Sequence, residues 1–252
     1  MALVMGSLRY WAQEYNLEGA RSFLVVIASL AVFALIIPDL TKTQPDPSVS
    51  PFQASLFAVI MLAFYGVFLG IQTMRHRAFF AEPVSGTERS GHDYAGHRDA
   101  PSGSLAYHVI MLLVLLAPIV LLGQSLAVIV DFWIEHLGAP APLGGVLVAV
   151  LVLSPEALTA LDAALSNQLQ RAVNVCLGSA LATIGLTIPA ALAVCLFTGR
   201  EMHLGLEQVD GALLVLTLFV SAMTFGGART NVLQGTVHLL LFVVYVALIF
   251  SP

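Results

Sequence analysis

A glutamate interrupts a long apolar stretch of the chain. Glu156 lies near the middle of the apolar run 143–165 and directly follows Pro155. A carboxylate deep in a bilayer costs several kcal/mol unless water, a cation or a proton relieves its charge. A neighbouring proline removes a helix hydrogen bond, and such a break is tolerated at depth only against protein or a cavity. The sequence therefore predicts a functional site at Glu156 inside a membrane.

The composition also indicates a membrane protein. The chain has 252 residues, of which 58% are hydrophobic and 10% charged, whereas soluble domains have about 25% charged residues. Apolar runs long enough to span a bilayer predict about seven spans. They are 23–38, 52–74, 105–130, 143–165, 172–198, 211–225 and 232–250, and the first begins nearer Glu18. We therefore expect an all-α, polytopic transmembrane helix bundle.

Several other classes of protein are disfavoured. The net charge of −5 includes no basic patch of the kind that binds nucleic acid. No Ser/His pair or HExxH motif supports an intramembrane enzyme. The apolar residues 1–8 are followed by Arg9 without a cleavage site, so they predict the tail of a further span rather than a signal peptide.

The positive charges predict an orientation. Eight of the ten lysines and arginines fall in the N-terminal segment and in every second loop, including the loop 75–104. By the positive-inside rule, the N-terminus and this loop are cytoplasmic, and the C-terminus is periplasmic or outside. The loop contains three histidines and four acids. It is either a pH- or cation-sensing segment or a flexible linker, and its Pro, Ser and Gly content favours the linker.

Polar residues near Glu156 outline a candidate cation site. Ser154 precedes Pro155, and Thr159 and Asp162 follow Glu156 at intervals of three, which allows a polar path toward the cytoplasm. A simpler interpretation places Asp162 at the membrane interface. A hard cation prefers oxygen ligands, and Glu156 would be the charged one.

The next predicted span carries a stripe of hydroxyls. Ser179, Thr183 and Thr187 recur every four residues, and Pro189 interrupts the helix just beyond them. Hydroxyl residues often only pack membrane helices together. Next to Glu156, they would instead supply further oxygen ligands. Polar residues on the last two spans, including His238, are expected to form helix–helix hydrogen bonds.

The central sequence resembles a known transporter family. The stretch LVLSPEALTALDAALSNQLQRAVNVCLGSALATIGLTIPAAL is similar to the second signature repeat of bacterial calcium/proton antiporters in the cation/calcium exchanger superfamily. YGVFLGIQTMRHRAFF and ARTNVLQGTVHLLLF are similar to other parts of these proteins. The resemblance implies two inverted five-helix halves, each with one acid, which alternately hold a cation or protons. Glu156 matches the acid of the second repeat, Ser179 a motif serine and Pro189 the closing proline.

The resemblance also implies a domain organisation. Residues 1–74 would be the last two spans of a first half, 75–104 a cytoplasmic linker, and 105–252 a complete second half with its signature repeat at 150–192. The first repeat and its acid would lie outside this chain, which would then need a first transporter half in cis or in trans.

The implied function is exchange of Ca²⁺ for H⁺ across the bacterial inner membrane, with no cofactor besides the transported ions. Ala157 stands where many members have histidine and Ala182 where many have glutamine, which leaves Na⁺ or K⁺ as alternative cations. The alternative function is a non-transporting half-transporter subunit, or a remnant, that acts as a membrane assembly partner.

Overall fold

The computed structural model describes residues 1–40, 50–75, 77–81, 105–140, 142–199, 204–227 and 229–250. These residues are almost entirely helical, which confirms the all-α prediction. The helices are α1 (Ala2–Tyr10), α2 (Leu17–Ala31), α3 (Ile37–Leu40), α4 (Pro51–Gly70), α5 (Leu105–Leu137), α6 (Pro142–Val152), α7 (Ser154–Leu165), α8 (Leu169–Ala182), α9 (Ile188–Thr198), α10 (Gln208–Thr224) and α11 (Val232–Phe250). Shorter elements are strands β1 (Gln13–Glu14) and β2 (Arg229–Thr230), π-helical turns Val32–Ile36, Ile71–Arg75 and Thr183–Thr187, and a 3₁₀ turn Arg77–Phe80.

The predicted spans correspond to helices of unequal length. Within the described ranges, five helices are long and apolar enough to cross a membrane, and α6 with α7 would make a sixth if they form one span. Helix α10 has 17 residues, or about 26 Å at 1.5 Å per residue, slightly less than the roughly 30 Å hydrocarbon core. The seven predicted segments are therefore helical, but one is broken and one is short.

The third predicted span ends later than the sequence indicated. Helix α5 runs for 33 residues and passes through Asp131 and Glu135, where we predicted the span to end at Val130. Rings of Phe132 and His136 stack with centroids 5.8 Å apart along this extension. The helix stops before Gly138, whose φ of 61° only glycine adopts easily.

The chain forms two compact units, and the candidate site residues belong to the first. The first unit contains the described residues within 1–83 and 154–248, and the other contains those within 84–153 and 249–252. In the second unit, α5 and α6 approach closely, since a Cβ at Gly144 would lie 2.7 Å from Ile134 Cδ1. The division of the chain at 75–104 stays a prediction, and 82–104 of that loop lies outside the described residues.

Among the described residues, two of the three buried clusters in the first unit include α8. Phe23 of α2 is 1% exposed and packs against Phe68 of α4, with ring centroids 5.1 Å apart. Leu181 of α8 is buried in the same cluster. The second cluster contains small residues of α7 and the start of α8, namely Ala160, Ala163, Ala164, Leu169, Ala172 and Val173. Small side chains let these two membrane helices approach closely.

The π-helical turn Thr183–Thr187 accommodates Pro189. We predicted that Pro189 would break the helix, but the helical path is continuous from Leu169 to Thr198. Pro189 is buried and occupies the second position of α9, directly after the π-helical turn. A π-helical turn changes the hydrogen-bond register by one residue, which explains how the chain accepts a residue that lacks an N–H group.

Gly185→Ala is expected to destabilise the protein. A Cβ at Gly185 would lie 2.8 Å from Tyr65 Cδ2 of α4, and overpacking of this kind costs about 1–3 kcal/mol. Gly178→Ala is the matched control on the same span, because its Cβ would lie 3.8 Å from the Phe23 ring, an ordinary contact. Thermal unfolding of purified protein in detergent should show a lower midpoint for Gly185→Ala alone. Equal midpoints for both variants would contradict the close packing of α4 on this turn.

Candidate cation-binding site

A helix break precedes Glu156. Helix α6 ends at Val152 and α7 begins at Ser154, so Leu153 separates them. Pro155 is the second residue of α7, a position where a missing N–H group leaves no hydrogen bond unmade. Glu156 follows in the first turn of α7. The unpaired N–H groups and the positive end of the helix dipole favour a negative charge at that position.

Glu156 continues the buried stripe of α7. Ala160, Ala163 and Ala164 follow it by four, seven and eight residues, the spacing of one helix face, and all three are buried in the cluster with α8. The side chain is half-buried. Its Oε2 atom is buried and has no hydrogen-bond partner within the described part of the chain. Packing thus holds one carboxylate oxygen away from solvent without a donor.

The polar residues that follow Glu156 do not lie on the buried face of α7. Thr159 and Asp162 are exposed, and Thr159 Oγ1 donates to the Pro155 carbonyl at 2.8 Å. The suggested polar path therefore does not follow the face that carries Glu156. The exposed Asp162, which precedes the end of α7 by three residues, fits the alternative interpretation of an interfacial residue.

Ser179 lies on the same face of α8 as the buried Ala172. It follows the buried Ala172 by seven residues, so the two side chains differ by only about 20° around the helix. The turn between the helices centres on Asn167, which has a φ of 58°. Glu156 is eleven residues before Asn167 and Ser179 is twelve after it. In an antiparallel hairpin, these positions are at nearly the same level.

The other predicted site residues are more distant or more exposed. Thr183 is exposed, about 6 Å further along the helix than Ser179, and its Oγ1 donates to the Ser179 carbonyl at 2.9 Å. Ser154 is exposed, and Pro189 is ten residues beyond Ser179. Among the residues that the structure describes, no three His, Cys, Asp or Glu side chains cluster as a metal site. Of the residues predicted for the site, only Glu156 would offer a cation a charged oxygen, and the others would offer hydroxyl oxygens.

Sequence reasoning missed a buried amide network that joins Phe80, at the end of the 3₁₀ turn, to α8. The Asn16 backbone N–H donates to Gln170 Oε1 at 2.6 Å. Gln170 Nε2 donates to Asn174 Oδ1 at 2.8 Å, and Asn174 Nδ2 donates to the Phe80 carbonyl at 2.7 Å. The four-residue spacing of Gln170 and Asn174 was the only local signal, because it favours such a side-chain bond on a helix.

Segments with predicted cytoplasmic arginines meet at one end of the first unit. Strands β1 and β2 pair antiparallel, and Glu14 forms an ion pair with Arg229. Arg21 donates to the Gly226 carbonyl at 3.0 Å. Tyr15 is 2% exposed and donates to the Gly227 carbonyl, and its burial raises the pKa to about 12 despite the nearby Arg21 charge. This convergence agrees with the predicted common side of these loops.

Comparison with known proteins identifies the family. Residues 107–251 match the family model described as "Sodium/calcium exchanger protein". The chain is 38% identical over its whole length to y4hA, a candidate ionic transporter of Sinorhizobium fredii. It is 37% identical over 99% of its length to the sodium-potassium/proton antiporter ChaA of Escherichia coli. A Ca²⁺/H⁺ antiporter of Aphanothece halophytica is 23% identical over the whole chain.

These alignments cover 67%, 67% and 69% of the three relatives. The chain thus spans about two thirds of the length of the curated proteins that it matches. The family match covers more than half of the chain, and the apolar helices agree with a multi-pass membrane protein. The chain therefore belongs to the sodium/calcium exchanger family.

Proposed function

We propose that this chain takes part in secondary active exchange of a cation against protons, with Glu156 as the shared carrier group. The observation that carries the proposal is the buried Glu156 Oε2 atom, which lacks a hydrogen-bond partner within the described residues. A structural role alone would normally give a buried carboxylate a donor. In a family of exchangers, a carboxylate without one is the natural place for a transported ion.

Competition for one carboxylate explains why exchange would be coupled. A buried carboxylate needs a proton or a cation to offset its charge. Because one oxygen pair cannot hold both at once, arrival of a cation displaces the proton. The first turn of α7 stabilises the anion during the transfer. The proposed neutral oxygen ligands are Ser179 on α8, Thr183 at the start of the π-helical turn and Ser154 at the helix break.

Two observations favour different cations. The resemblance in the central repeat favours Ca²⁺, whereas the name of the 37% identical relative favours Na⁺ or K⁺. Calcium sites typically use six to eight oxygens, often from more than one carboxylate. With Glu156 as the one carboxylate that we propose for the site, a monovalent cation would need fewer further oxygen ligands than Ca²⁺.

The proposal includes a need for further protein at the site. Thr183 and Ser154 are exposed, and a cation beside them would face lipid unless other helices covered it. We propose that a first transporter half, in cis or in trans, supplies this cover and a second acid. The assembly would lie in a bacterial inner membrane, with the N-terminus and residues 75–104 cytoplasmic and the C-terminus outside.

A second candidate is a subunit that does not transport ions by itself. Among the described residues, no three His, Cys, Asp or Glu side chains cluster as a metal site, which favours this alternative for the isolated chain. Everted vesicles distinguish the two candidates. Proton flux is measured after addition of CaCl₂, NaCl or KCl, with this chain alone and with the N-terminal third of its Escherichia coli relative co-expressed.

The proposal predicts flux with at least one cation in one of these preparations. Flux only upon co-expression would show that the site needs a first half. The absence of cation-dependent flux in both, with the chain inserted, would support the non-transporting subunit.

Ser179→Ala is expected to weaken cation binding without abolishing exchange. Loss of one neutral ligand oxygen costs about 1 kcal/mol, which corresponds to about a fivefold higher half-saturating cation concentration. Thr198→Ala is the control, because the exposed Thr198 hydroxyl only donates to the Val194 carbonyl at 2.8 Å. Cation titrations of proton flux in vesicles give both values. Unchanged half-saturation in Ser179→Ala would remove Ser179 from the site.

A further inference from the structure

His238 is a titratable side chain within a membrane span, and the proposed exchange does not use this side chain. It lies in the span Val232–Phe250 and is half-buried. Ionisable residues inside a membrane are rare, and they mark ion or proton pathways more often than packing. The predicted helix–helix hydrogen bond is present, since His238 Nε2 lies 3.2 Å from Ser221 Oγ of α10.

The hydrogen bonds of His238 define its tautomer. Nδ1 lies 2.9 Å from the Gln234 carbonyl oxygen, and a carbonyl can only accept, so Nδ1 carries a hydrogen. In the neutral ring, Nε2 is then an acceptor, and the Ser221 hydroxyl donates to it. In the neutral imidazole, both nitrogens are therefore hydrogen-bonded. Nε2, the nitrogen that can take up a further proton, faces Ser221.

The same contacts accommodate a protonated ring. A proton on Nε2 would make it a donor, and Ser221 Oγ would accept from it. The hydroxyl hydrogen could then turn to a carbonyl of the preceding helical turn, a common arrangement for serine in helices. Proton uptake would thus reverse the direction of one hydrogen bond without leaving either partner unpaired. An interaction of this kind suits reversible proton binding.

His238 also borders a small cavity beside α8. The cavity has a volume of about 230 Å³, and its lining includes Leu169, Ala172 and Cys176 of α8 and Phe225 of the segment after α10. A water molecule occupies about 30 Å³, so the cavity has room for water around a charged ring. Cys176 is one turn from Ser179, which brings the cavity close to the hydroxyl stripe.

The cavity provides little compensating charge. Its other titratable groups are the Cys176 thiol on α8 and the amino group of Met1 at the start of the chain. Tyr245 follows His238 by two turns on its own helix. No Asp, Glu, Lys or Arg among the described residues lines the cavity. A charged His238 would consequently act on the packing of α8 and α10 without a local counter-ion to cancel it.

We propose that His238 is a second proton-binding site, which adjusts the pH range of exchange through the cavity beside α8. Proton binding by His238 is independent of the function proposed above, whereas its effect on exchange rests on that function. Histidine is the side chain whose charge most often changes between about pH 5 and 8.

Binding is tested by nuclear magnetic resonance of the full chain with ¹⁵N-labelled histidine in nanodiscs. The label excludes contributions from Met1 and Cys176, and the His238 signals are assigned by their loss in His238→Gln, which separates them from those of the other histidines. In a titration from about pH 8 to pH 5, we expect these signals to change from a neutral to a protonated ring, with a different midpoint in Ser221→Ala. Signals that show one protonation state across this whole range would overturn the proposal.

Transport is tested by the pH profile of cation-dependent proton flux, in the vesicle preparation that is active. His238→Gln keeps a hydrogen-bonding side chain, so we expect it to retain flux but to lose the histidine component of the profile. His136→Gln, in the exposed last turn of α5, should match the unmodified protein. An unchanged profile in His238→Gln would overturn the regulatory role. Titration of His238 without flux in any preparation would support the proton site and reject only the proposed exchange.

Discussion

Glu156→Gln is expected to abolish cation-driven proton flux in everted vesicles. Glutamine has nearly the same shape as glutamate, but it cannot release or take up a proton and carries no charge to hold a cation. If Glu156 is the shared carrier group, both half-reactions stop, and flux falls to the level of vesicles without the protein. A dye that reports the transmembrane pH gradient measures this after addition of CaCl₂, NaCl or KCl.

Asp162→Asn is the matched control for this result. Asp162 belongs to the same helix but is exposed and close to the turn that leads to α8. It should retain flux, because it does not lie on the buried stripe that carries Glu156. Equal membrane insertion of both variants, measured by immunoblot of the vesicles, separates lost transport from lost protein. Cation-driven flux in Glu156→Gln at the same rate as in the unmodified protein would contradict the proposed mechanism.

The sequence predicted the helices better than their interruptions. A bilayer requires long apolar runs, so length and composition locate spans such as α4 and α11 directly. Proline, by contrast, has different effects at different helix positions. Pro155 begins a helix after a break at Leu153, whereas Pro189 follows a π-helical turn in a continuous span. The backbone hydrogen bonds that distinguish these cases cannot be read from the residue alone.

The direction of Glu156 also depended on tertiary packing. Spacing suggested a common face with Thr159, and three residues apart is indeed a neighbouring position on a helix. Packing of Ala160 and Ala163 against α8 instead selects the face that is buried, and Glu156 follows that face. Sequence reasoning singled out the carboxylate, but its surroundings depend on contacts between helices.

Long-range polar contacts were beyond local sequence reasoning. Asn16 and Gln170 are 154 residues apart, and Asn174 and Phe80 are 94 apart. No periodicity relates such positions, and amide side chains have many alternative partners. Their hydrogen bonds become evident only when α2, α8 and the Arg77–Phe80 turn are brought together. The resulting network leads to the second prediction with a large effect.

Gln170→Leu is expected to lower the stability of the protein by roughly 3 kcal/mol. Gln170 is 1% exposed and bonds both to the Asn16 backbone N–H and to Asn174 Oδ1. Leucine has a similar volume but leaves these two groups without their partner, and each unsatisfied buried group costs about 1–3 kcal/mol. Thermal unfolding in detergent should therefore begin at a clearly lower temperature than in the unmodified protein.

Gln168→Leu provides the control for Gln170→Leu. Gln168 is half-buried at the start of α8 and makes no side-chain capping bond there, so its replacement should change stability little. Equal stability of the two variants would mean that the amide network contributes nothing. If only Gln170→Leu is unstable, the network that joins α2, α8 and Phe80 fixes the helix that carries Ser179. Cation affinity should then fall in Gln170→Leu even at temperatures where the protein remains folded, because the helix that carries Ser179, a proposed ligand, would no longer be held in place.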